Sequence, residues 1–173
     1  MFTRQFSIAV PIFLSVYLIQ EAVITQFRLP GGGFSIMMIF ALTWAVLSQT
    51  EVAAVIGFAA GFLMDLSQSS TGPFGQWTLI MLLAGYAISY VGYGDDNVHA
   101  NAIGIIFFVV VANFFVEVAY LLSSALLGVS LASIGQILIT LVGMSVWAFL
   151  VSPLLLPIFS RLHALIFDAR SAL

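Results

Sequence analysis

Residues 34–65 read FSIMMIFALTWAVLSQTEVAAVIGFAAGFLMD, and the polar tetrad Ser48-Gln49-Thr50-Glu51 inside that apolar run decides the fold. A helix that crosses a bilayer needs roughly 20 predominantly apolar residues, with about 17–25 as the usual range. The stretch is too long for one such helix and short for two. As a single span it would hold the tetrad, Glu51 included, at mid-bilayer, where polar groups without partners are costly. The stretch is therefore predicted to form two shortish helices, 34–48 and 52–65, joined by a tight turn.

Working outward, four further apolar blocks stand at 6–27, 74–91, 102–127 and 134–156, so the count is six helices. The charges test it. Arg4 precedes the first block, Arg161 and Arg170 follow the last, and Arg28 lies in a loop. An even count puts three of the four Arg on one side, which the positive-inside rule makes cytoplasmic. Both termini are thus expected inside, with outer loops at 28–33, 66–73 and 128–133. The first block differs from a cleaved signal peptide. Its apolar run is longer, Pro11 interrupts it early, and Gln20-Glu21-Ala22 is no cleavage site.

The composition agrees. Of 173 residues, 62% are hydrophobic and 6% charged, and the mean hydropathy is +1.20. A soluble domain runs at roughly 45–50% apolar and about 25% charged. The chain reads as an all-α integral membrane protein, one domain over 1–173. The absence of Lys excludes a retinal or pyridoxal Schiff base, and the absence of Cys excludes disulfides and thiolate chemistry. A net charge of −3 gives no basic patch, so nucleic acid is not an expected partner.

Several positions carry information. Gly57 and Gly61 form a G-x-x-x-G, and with Ala53 and Asp65 they share one helix face. Small residues there either pack a helix of the same chain closely or dock a partner helix. Asp65 opens the polar loop 66–75. There it is expected to accept hydrogen bonds from loop groups or to cap the next helix. Gly72-Pro73 and Gly75 force a turn.

Two polar stripes stand on otherwise apolar helices: Asn113, Glu117, Tyr120 and Ser124 on the fifth, and Tyr17, Glu21, Thr25 and Arg28 on the first. Glu117 lies near mid-span and must be protonated, paired or facing a cavity. The stripes form either an interhelical hydrogen-bond network or a lined cavity. Asp95, Asp96 and His99 read as a solvated turn. Pro153 and Pro157 are predicted to kink or end the sixth helix. A short amphipathic helix, 158–170, would follow and lie at the inner interface.

From Gly57 to Tyr86 the chain resembles the rod-shape-determining protein MreD family. The pattern is Gly57-x-x-x-Gly61-Phe62-Leu63-Met64-Asp65-Leu66, a small polar loop, Gly72-Pro73-Phe74-Gly75, and an apolar helix that ends Gly85-Tyr86. The resemblance implies a small six-helix protein of the bacterial inner membrane. It also implies a fold similar to the substrate-binding subunits of energy-coupling-factor vitamin transporters. The partners it implies are an MreC-like bitopic protein, a RodA-like glycosyltransferase with its transpeptidase partner, and, indirectly, MreB filaments, beside membrane lipid. The function it implies is a non-enzymatic scaffold for cell elongation and peptidoglycan synthesis. A vitamin-type transporter subunit is the alternative; it wants convergent polar and aromatic residues in an outward-facing pocket. No catalytic set is visible in the sequence, so neither enzymatic activity nor a cofactor or metal is expected.

Overall fold

A computed structural model describes residues 2–27, 29–67, 72–92 and 101–167. They form six α-helices: α1 (Phe2–Ala22), α2 (Ile36–Leu47), α3 (Thr50–Asp65), α4 (Gln76–Gly92), α5 (Ala102–Leu126) and α6 (Ile134–Phe167). Short 3-10 turns follow α1 at Ile24–Gln26 and Pro30–Gly32, and no strand occurs among the described residues. Four stretches are long and apolar enough to cross a membrane: Ser7–Gln26, Pro30–Leu47, Ala102–Leu126 and Ile134–Phe167. At 16 and 17 residues, α3 and α4 are shorter.

The break between α2 and α3 falls at Ser48-Gln49, so Thr50 and Glu51 belong to the first turn of α3 rather than to the connection. A carboxylate in a first turn faces the positive end of the helix dipole. Asp95, Asp96 and His99 lie outside the described residues, as do Arg28, Arg170 and the hydroxyl-rich 68–71.

At the centre is α2. Every residue from Met37 to Val46 is buried, and the helix touches each of the other five. A helix that is apolar all round has no face to give to solvent and belongs inside. Thr43, its one polar residue in that run, donates to the Ile39 carbonyl at 2.7 Å. The N-terminal N–H groups of α2 are satisfied from two sides. Ser35 accepts from Met38 N–H at 3.2 Å, and Gln20 of α1 accepts from Ile36 N–H at 2.8 Å. Around Phe40 and Trp44, whose rings are 4.5 Å apart, Phe13 and Phe159 close an aromatic core with edge-on contacts.

The closest packing is between α3 and α4. A Cβ on Gly57 would strike the Met81 carbonyl, one on Gly61 the Trp77 carbonyl, and one on Gly85 the Ala53 carbonyl. The two backbones are in contact because nothing larger than hydrogen separates them at these points. The Gly57–Gly61 face is therefore filled by α4 of the same chain and is not open to a partner helix. Ile56 and Ala60 are buried as well, so the covered stripe is wider than the i, i+4 series suggests.

The end of the chain differs from the sequence-based expectation. Helix α6 runs unbroken through Pro153 and Pro157 to Phe167, and no separate interfacial helix begins at 158. Each proline removes one backbone hydrogen bond. The helix continues nonetheless, as helices that cross membranes commonly do through proline, and α6 is long and apolar enough to be one. The buried face of this segment is Ser152, Leu156, Phe159, His163 and Ile166, whereas Ile158 and Leu165 point outward. That face packs on α2: the Trp44 indole N–H donates to the Phe159 carbonyl at 3.0 Å, and Ser48 Oγ lies 2.9 Å from His163 Nε2.

The helices alternate in direction. One end of the bundle gathers the ends of α1, α3 and α5 and the starts of α2, α4 and α6; Gln76 at the start of α4 meets Tyr120, Ser123 and Ser124 near the end of α5 there. At the other end, the Ser89 hydroxyl donates to the Ser48 carbonyl at 2.7 Å, tying α4 to the α2–α3 turn.

Candidate functional site

The connection from α1 to α2 shapes the site. Gly31, Gly32 and Gly33 take φ of 72°, 88° and 72°, a left-handed run that side chains resist. This run folds the segment against α6. Gly31 and Gly143 meet backbone to backbone, and the Trp147 indole N–H donates to the Pro30 carbonyl at 3.0 Å. Behind this strap lies a cavity of about 390 Å³, bounded by α1, the starts of α2 and α4, the ends of α3, and the middle of α5.

Both polar stripes read from the sequence meet there. Tyr17, Glu21 and Thr25 line it from α1 and its extension, and Asn113, Glu117 and Tyr120 line it from α5. Of the two arrangements left open by the sequence, this is the lined cavity. Ser124, the last member of the α5 stripe, is not part of it; its hydroxyl accepts from Gln76 Nε2 at 2.8 Å. Glu21 is held in place by the Ser67 hydroxyl, which donates to Oε1 at 2.5 Å. Trp77 stacks on Tyr120 with ring centres 4.1 Å apart, giving the cavity one flat aromatic wall.

The other residues singled out in the sequence stand beside the cavity and support it. Asp65 is buried and caps α4: its carboxylate accepts from Trp77 N–H at 3.0 Å, Thr78 N–H at 2.9 Å and the Thr78 hydroxyl at 2.5 Å. Its described partners lie in the first turn of α4, which orients the Trp77 ring. Gly72 is pressed against the Gln76 side chain and the Tyr120 hydroxyl, and Gly75 makes the final turn into α4 at φ 94°. Gly57 and Gly61 bring α3 and α4 together below.

Sequence reasoning missed Gln20, Ser67 and Gln76. Each acts through a contact between distant segments, and none shares a stripe with the residues it serves. It also missed the pair Ser48 and His163. Their 2.9 Å separation is that of a nucleophile and its base. Both are buried, however, and the imidazole is packed between Trp44 and Phe167. Neither lines the cavity.

The site therefore offers two carboxylates, amides, phenols and an aromatic wall, which suit binding and orientation of a ligand. Comparison of the chain with protein-family models, with characterised proteins and with solved structures finds no match.

Proposed function

We propose that this chain is a non-enzymatic scaffold of the bacterial inner membrane, of the kind that MreD-type proteins provide for cell elongation. In this reading all six helices cross the membrane, α3 and α4 as short spans, and both termini are cytoplasmic. The chain binds an MreC-like bitopic protein. Through it, the chain joins a RodA-like glycosyltransferase and its transpeptidase partner, and indirectly MreB filaments, to the wall-building machinery. The observation that carries the reading is that Gly61, Asp65, Gly72 and Gly75, which bear the resemblance, all serve one structural unit: the α3–α4 hairpin and its capped turn. Affinity purification in mild detergent with mass spectrometry tests it. Co-purifying morphogenesis proteins are expected, and their absence would overturn the reading.

A second reading, a substrate-binding subunit of a vitamin-type transporter, is favoured by one observation. Polar and aromatic side chains converge on a partly open cavity at the end of the bundle assigned to the outside. Co-purification of an ATP-driven transport module would select it.

A further inference from the structure

We infer that the cavity between α1 and α5 is a binding site for a small organic molecule that carries a primary ammonium group. The inference rests on the cavity itself and on neither reading of the whole chain.

Among the described residues the lining carries two carboxylates, Glu21 and Glu117, and no Lys, Arg or His. The two are not equivalent. Glu21 is already engaged by the Ser67 hydroxyl. Glu117 is half-buried, lines the cavity, and makes no hydrogen bond or ion pair among the described residues. A carboxyl group partly withdrawn from water keeps its acceptor capacity unused by the protein, and a donor entering the cavity would use it. One turn before it on the same face of α5, the buried Asn113 side chain supplies another polar contact.

An ammonium group presents three donors and no acceptor. That matches a site with a free carboxyl, an amide and a second carboxylate. Among the described lining residues an anion would find no cationic side chain. A bare metal ion has too few ligands, since no three of His, Cys, Asp and Glu come together among the described residues. The remaining walls describe the body of the molecule. The stacked Trp77 and Tyr120 rings offer a π face to a cation. Met37, Met38, Met64 and Met144 line an adaptable apolar floor. A volume of about 390 Å³ is at the small end of known ligand sites. A free amine and the headgroup of an ethanolamine lipid share this chemistry.

The test uses the full chain in mild detergent, titrated calorimetrically with 2-phenylethylamine, 2-phenylethanol and 3-phenylpropionate. The amine should saturate, bind at least tenfold tighter than the alcohol, and leave the acid without measurable binding. Glu117→Gln should weaken the amine at least tenfold with an unchanged melting temperature; if that variant does not fold, Glu21→Gln gives the same reading. Repeating the titration in nanodiscs separates the sources. Amine binding lost only in phosphatidylethanolamine assigns the site to the lipid headgroup, and equal binding in phosphatidylglycerol assigns it to a free ligand. No saturable amine binding in detergent, equal binding of the alcohol, or full binding by the Gln variant would overturn the proposal. Because this readout needs no partner protein, its failure is distinct from failure of the scaffold reading.

Discussion

Asp65 accepts two hydrogen bonds from Thr78, one from its backbone N–H at 2.9 Å and one from its hydroxyl at 2.5 Å. The last residue of α3 thus satisfies donors that the first turn of α4 cannot satisfy for itself. An N-cap carboxylate is ordinarily local in sequence, whereas this one arrives from 13 positions upstream and locks two helices at once.

Removing that carboxylate should loosen the hairpin. Asp65→Ala is expected to cost about 2 kcal/mol, the upper range for loss of a cap, because three part-buried donors are abandoned at once. Asp65→Asn keeps one acceptor oxygen and should lose roughly half as much. Thermal unfolding in detergent, with capture of the proposed MreC-like partner as a second readout, orders the two. If Asn and Ala were equally damaging to capture while both unfolded like the parent, the carboxylate would be doing something other than capping.

The α3–α4 contact predicts opposite outcomes for one substitution at different glycines. Gly57→Ala and Gly61→Ala should each cost about 1–3 kcal/mol, because the new methyl meets a backbone carbonyl that cannot move aside. Gly135 has nothing within 4 Å of the same methyl, so Gly135→Ala should be neutral or stabilise by up to about 1 kcal/mol through helix propensity. Equal melting shifts at all three positions would contradict the close approach.

The alternation of the helices makes a labelling pattern. Single cysteines placed in this Cys-free chain at Gln49 and Asn101 should react from one side of the membrane, and those at Phe74 and Ser130 from the other. All four positions are exposed and lie at or beside helix ends. Any pair that breaks this partition would mean that α3 and α4 do not cross.

Ser48 and His163 give a fourth test. As a packing pair, they should show in Ser48→Ala and His163→Gln a loss of about 1 kcal/mol each, the usual worth of one hydrogen bond. A fluorophosphonate probe should leave Ser48 unlabelled, since the residue is 5% exposed. Labelling at Ser48 that vanishes in His163→Gln would reveal a reactive dyad.

Much of the architecture is legible in residues 34–65, because a polar tetrad in an apolar run permits few arrangements. The cap at Asp65 is legible for a similar reason: a carboxylate just before a Gly-Pro turn has few other uses. The stripes of α1 and α5 follow from helical spacing, yet that they face each other does not, since spacing orients a side chain only within its own helix. Gln20 and Ser67 were invisible on the same ground. Pro153 and Pro157 left a kink or an end open in the sequence, and the structure decides against the end and the separate helix after it. The helix runs on through both prolines, and His163 turns inward with Phe159 and Ile166.

The bonds that join α2 and the strap to α6 link residues far apart in the chain: Trp44 to Phe159 and Ser48 to His163 across 115 positions, and Pro30 to Trp147 across 117. During synthesis the first half of the molecule is complete long before its partners leave the ribosome. Until then the indole N–H of Trp44 and the carbonyl of Pro30 lack these partners, and the α6 wall behind the glycine strap is missing. Such long-range closure is slow relative to local helix formation. Assembly of this protein should therefore be governed by the arrival of its last helix, and a nascent chain stopped at residue 133 should remain sensitive to protease until α6 is supplied.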